Sequence, residues 1–79
     1  MGKIIVKVSN NVRALRHEKR MTQEELAELA TCRRETISRI ESGVSMPSLE
    51  LAYLITIALD EPLEKSFPCI SVINGKEVS

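Results

Sequence analysis

The chain has 79 residues, eleven Lys and Arg, eleven Asp and Glu, and 43% hydrophobic residues; this is room for one small domain with a core, and excludes a disordered chain. A formal charge of zero argues against a uniformly basic nucleic-acid binder, and two aromatics, Tyr53 and Phe67, are too few for a base-stacking platform. Neither a membrane partner nor a secretory leader is expected, because no apolar run approaches ~20 residues and the start lacks a signal-type stretch.

Residues 3–8 (Lys-Ile-Ile-Val-Lys-Val) are β-branched and roughly alternating. Ile4, Val6 and Val8 would share one face of a strand, and Lys3, Ile5 and Lys7 the other. Ser9 or Asn10 then offers an N-cap for a first helix running to about Arg20, with Val12, Leu15 and Lys19 on one side.

Thr22-Gln23-Glu24-Glu25 is a capping box. The Thr22 hydroxyl can accept from the Glu25 amide while the Glu25 carboxylate reaches back to the Thr22 amide. Met21 and Leu26 are spaced for a hydrophobic staple, and Leu26, Ala27, Leu29 and Ala30 form the apolar stripe of a short second helix. A third helix spans about Arg33 to Glu41, with Ile37 and Ile40 facing the core, and Ser42-Gly43 ends it.

After the loop at Val44-Ser45-Met46, Ser48 caps a fourth helix whose buried side is expected to carry Leu49, Ala52, Tyr53, Ile55 and Leu59. Leu51, Leu54 and Ile57 leave little of it polar, which suits a central or interfacial helix. A short fifth helix follows Asp60-Glu61-Pro62 and ends by Phe67-Pro68. Residues 69–73 read as a second strand. Asn74-Gly75 is a turn dipeptide, but with four residues beyond it no full hairpin is expected. Two lone terminal strands would pair with each other, within one chain or across a dimer. Cys32 and Cys69 lack metal-site spacing and read as reduced packing residues of a cytoplasmic protein.

The zero charge conceals a division. Residues 1–39 hold nine Lys and Arg against five acids, whereas residues 40–79 hold two Lys against six acids. Asymmetry of this size points to a polyanion partner for the basic half.

Two short helices joined by a tight turn, at 22–30 and 33–41, make a helix-turn-helix. Thr22-Gln23-Glu24-Glu25-Leu26-Ala27, Glu35-Thr36-Ile37-Ser38-Arg39-Ile40-Glu41-Ser42-Gly43 and Pro47-Ser48-Leu49, with Val12-Arg13-Ala14-Leu15-Arg16 before them, resemble the Cro/repressor-type (XRE-like) helix-turn-helix domain. The resemblance covers about residues 10–67, between an N-terminal strand at 1–9 and a C-terminal strand and tail at 68–79. It implies a mainly α, five-helix DNA-binding domain with short terminal strands. It also implies a homodimer bound to double-stranded DNA, without cofactor, metal or catalytic residues.

In such a domain the second helix of the pair enters the major groove. The base-reading candidates are then Arg33, Arg34, Glu35, Ser38 and Arg39. Arginine donates bidentately to guanine O6 and N7, and a glutamate accepts from cytosine N4, so a GC-containing half-site is expected. The same charges could instead form a solvated helix face with an ion pair such as Glu35–Arg39.

The resemblance makes Gln23 a phosphate contact that braces the recognition helix. Thr22, Arg13, Arg20, Ser45 and Ser48 are further phosphate candidates, with loop amides near Ser45. Arg16 and Glu41 are implied to form a structural ion pair between the first and third helices. Arg20, Thr31 and Asp60 stand where the family favours glycine, and Arg33 stands where it favours a serine cap; Thr31 is the candidate to cap in its place. His17 reads as a solvated residue. A transcriptional repressor is the expected function, and the alternative is an antitoxin-like module whose main partner is a protein.

Overall fold

The computed structural model describes residues 3–73 and 76–78. Its elements run β1 (Ile4–Val8), α1 (Val12–Glu18), α2 (Gln23–Leu29), α3 (Arg34–Glu41), α4 (Leu49–Leu59), α5 (Leu63–Ser66), β2 (Cys69–Ile73) and β3 (Lys76–Val78). Five helices enclose the core, and the chain is mainly helical.

Each helix buries the stripe its period dictates. Val12 and Leu15 of α1, Leu26 and Ala27 of α2, and Ile37 and Ile40 of α3 meet Ala52, Ile55 and Leu59 of α4, with Phe67 closing one end. Met21, before the α2 cap, packs against the same core. On α4 the buried arc is Ala52, Ile55, Thr56 and Leu59, the i, i+3, i+4, i+7 set of one helical face. This corrects the expected face: Leu49 and Tyr53 lie outside that arc and are exposed. Buried Thr56 meets its hydrogen-bonding need within the helix, donating to the Tyr53 carbonyl at 2.8 Å.

The terminal strands pair within the chain, antiparallel, from Ile4 opposite Ile73 to Val8 opposite Cys69. Beyond the expected order lies a third strand. β3 pairs antiparallel with β2, Ser71 opposite Val78 and Ile73 opposite Lys76. Three residues suffice because they add to a strand already paired on its other side; the Asn74-Gly75 turn itself lies outside the described residues. Two backbone bonds fasten the sheet's root, from the Ser9 amide to the Pro68 carbonyl and from the Asn11 amide to the Ser66 carbonyl, both 2.9 Å. Farther out, Ile4, Ile5 and Val6 are exposed, so alternation along β1 does not correspond to a buried and a wet face.

Cys32 packs partly against the core, and burial pushes its thiol pKa up. Cys69 is exposed, so only the first cysteine is a packing residue.

Candidate nucleic-acid interface

The helix pair is fixed first by local chemistry. Both halves of the capping box form: the Thr22 hydroxyl accepts from the Glu25 amide at 3.0 Å, and the Thr22 amide donates to Glu25 Oε1 at 2.9 Å. The Thr22 amide, and secondarily its hydroxyl, hold the Glu25 carboxyl below the ordinary carboxylate range. After α2, Thr31 turns the chain with φ 54°. Thr31 does not cap α3, because in this conformation its hydroxyl donates to the adjacent Ala30 carbonyl at 2.7 Å. Arg33 occupies the N-cap position without a side-chain cap bond, which leaves the first turn of α3 uncapped by protein.

A buried hub ties α1, α2 and α3 together. The Glu41 side chain has no exposed surface. Arg16 Nε donates to Glu41 Oε2 at 2.7 Å and Arg16 Nη2 to Oε1 at 3.2 Å, a bidentate geometry suited to guanidinium. The third Arg16 bond runs from Nη1 to the Met21 carbonyl at 2.8 Å. Gln23 Nε2 donates to Glu41 Oε1 at 3.1 Å, and Arg13 Nε approaches the same oxygen at 3.5 Å. Burial pushes the Glu41 carboxyl up, but the bonds from Arg16 and Gln23, the Arg16 charge and the weaker Arg13 contact hold it below its ordinary range.

Gln23 extends this hub to the exposed surface. Its Oε1 accepts from Arg34 Nη1 at 3.3 Å. One continuous chain of polar contacts therefore runs from buried Arg16 through Glu41 and Gln23 to exposed Arg34.

The outward side of α3 carries Arg33, Arg34, Glu35 and Arg39, all exposed, with Ser38 half-buried beside them. Among the described residues no ion pair joins Glu35 to Arg39. Arg39 turns instead toward the following loop, where its Nε donates to Ser45 Oγ at 3.1 Å. The Arg39 carbonyl accepts from the Val44 and Ser45 amides at 2.9 and 3.2 Å. Those two amides are thus spent inside the protein, which removes them as the expected phosphate donors. The Ser45 hydroxyl and that of Ser48, which accepts from the Leu51 amide at 3.1 Å, each keep a proton to donate.

Other positions have mainly architectural surroundings. Arg20 is exposed in the α1–α2 turn at φ 55°. Lys19 pairs with Glu61 at 3.2 Å, and Glu61 also meets Lys65 at 3.1 Å. His17 is exposed. Sequence reasoning missed Asn10 as a bridge: its Oδ1 accepts from the Val12 amide at 3.3 Å while its Nδ2 donates to the Ile40 carbonyl at 2.9 Å. Its place just before α1 marked it as a cap, but nothing local signalled the reach to α3, thirty residues on.

Two comparisons bear on this geometry. The helix-turn-helix family matches residues 12–65, from the start of α1 into α5. Two proteins of Archaeoglobus fulgidus, each named an uncharacterized HTH-type transcriptional regulator, are 45% and 43% identical over 56 residues. The matched segment is 71% of this chain and 80% and 79% of those relatives.

Proposed function

The chain belongs to the XRE-like helix-turn-helix family of DNA-binding transcription regulators, which are not enzymes, and from that premise we propose that it is a sequence-specific repressor acting in the cytoplasm as a homodimer on double-stranded DNA. The observation that carries this reading is the division of α3. Its inner face is locked by Ile37 and Ile40, whereas its outer face holds three exposed charged side chains, with exposed Arg33 at its N-cap, and one of them, Arg34, is braced by Gln23.

In the proposed complex α3 lies in the major groove with its N-terminal residues toward base edges. Arg34 reads a guanine through O6 and N7, and Glu35 accepts from a cytosine N4. Arg33 and Ser38 flank them. Arg39, with Nε committed to Ser45, has its two terminal nitrogens left for a base or phosphate. Thr22, Gln23, Arg13, Arg20, Ser45 and Ser48 supply backbone contacts. Two copies place their α3 helices in successive grooves about 34–36 Å apart, on a near-palindromic operator. Occupancy of that site represses by blocking access.

Titration of a labelled random-sequence duplex at about 50 mM salt tests the premise of duplex binding. A complex that weakens steeply with added salt is expected. Absence of any complex at that salt would overturn the reading.

A further inference from the structure

We propose that α4 is a self-complementary contact through which two copies of this chain associate, with Tyr53 on the two-fold axis. The inference rests on the dimeric reading above and names the surface that makes it. Leu49, Tyr53 and Ile57 are spaced i, i+4, i+8, so they form one stripe along the helix. They are 69%, 49% and 74% exposed, on a face that starts beside the buried arc at Leu49 and turns away from it toward Ile57. Leu51, Leu54 and Leu63, by contrast, pack against the protein's own core and are less available to a partner.

The stripe reads alike in both directions. Antiparallel apposition about Tyr53 sets Leu49 against Ile57 of the second copy, and Ile57 against its Leu49, as a two-fold interface requires. Shape follows the same symmetry. Ile57 protrudes at one end, and at the other an apolar groove of about 390 Å³ runs beside Leu49, lined by Met46, Pro47, Ala52, Leu63 and Phe67. One rotation seats both protrusions toward both grooves.

Charge permits this register. Glu50 is the one charged residue within α4, and its mirror position is Thr56. Asp60 mirrors Met46 and Glu61 mirrors Ser45, so no two acids are set opposite each other. The exposed area also fits a second copy. Leu49, Tyr53, Ile57 and neighbouring Met46 offer roughly 500 Å² per protomer, or about 1,000 Å² in all, the lower bound for a specific interface. Such a contact gives a weak, concentration-dependent dimer that a two-site operator would reinforce by holding both copies near each other.

Sedimentation equilibrium of the full chain without DNA tests this, so a failure to bind DNA does not affect the outcome. The expected result is a reversible monomer–dimer equilibrium. Tyr53→Glu and Ile57→Glu, both at exposed positions, should each raise the dimer dissociation constant at least tenfold with circular dichroism unchanged. In a Cys32→Ser, Cys69→Ser background, Leu49→Cys mixed with Ile57→Cys should give a disulfide-linked pair that neither variant gives alone. The proposal falls if the chain stays monomeric at millimolar concentration. It falls equally if Ile5→Glu abolishes association while Tyr53→Glu does not, which would place the contact on the sheet, or if the stripe binds only a different protein.

Discussion

Arg16 and Glu41 meet at 2.7 Å across α1 and α3, the carboxylate without exposed surface and the guanidinium nearly so. The pair neutralises two charges that the fold has removed from water. It also sets the end of α3 relative to α1, and the further Arg16 bond to the Met21 carbonyl ties in the turn between α1 and α2. Breaking such a pair leaves one charge uncompensated, which is costlier than replacing both partners with apolar groups.

Glu41→Ala should therefore lower stability by about 3–5 kcal/mol, read by urea denaturation. The double substitution Arg16→Met, Glu41→Leu should recover much of that loss. A double variant no more stable than Glu41→Ala would contradict the hub's role as an ion pair.

Acid should weaken the fold through the same residue. The Glu41 carboxyl is held below its ordinary range in the folded chain, with Glu25 and Glu61 shifted in the same direction. Their stabilisation is fully present above the unfolded value of about 4.3 and is lost as pH falls through the lower folded values. Urea midpoints should thus decline below about pH 4.3. Glu41→Gln should start lower and decline less steeply.

Among the described residues, three other than glycine take positive φ: Arg20 at 55°, Thr31 at 54° and Asp60 at 54°. Thr31 is β-branched and suits this region least, whereas an aspartate tolerates it best. Thr31→Gly should raise stability by about 1 kcal/mol, and Asp60→Gly should gain least. Gly43, at φ 80°, has open space around an added Cβ. Gly43→Ala should still cost about 1 kcal/mol, through backbone conformation alone. Thermal melts rank the three variants.

On DNA, Gln23→Ala should weaken matched and mismatched sites by a similar factor, through loss of the proposed phosphate contact, with a modest further loss at the matched site because Arg34 is released from its brace. Arg16→Met is expected to act through stability, with base preference retained in the folded fraction. Competition titrations against matched and mismatched duplexes separate these effects.

The local features were the legible ones. Thr22 and Glu25 announce the α2 start because a capping box is satisfied within four residues, and Ile37 and Ile40 announce the buried side of α3 by their spacing. What escaped depended on contacts between distant segments. Whether Leu49 or Thr56 of α4 is buried depends on where α2 and the core lie, and hydrophobicity alone chose wrongly. The Asn10 bridge to Ile40 and the Arg39 clamp on Ser45 require the folded loops. Thr31 has the side chain of a cap but not the place of one, because its backbone conformation, which aims the hydroxyl at Ala30, has no sequence signature beyond a missing glycine.

Selection of bound sequences from a random duplex pool, run in parallel with wild type and Arg34→Ala, tests the central claim most directly. Wild type should return a near-palindrome with a G·C pair in each half-site, and Arg34→Ala should lose the preference at one such pair, worth about 1–3 kcal/mol. The same motif returned by both proteins, or no enrichment by either, would contradict recognition through α3.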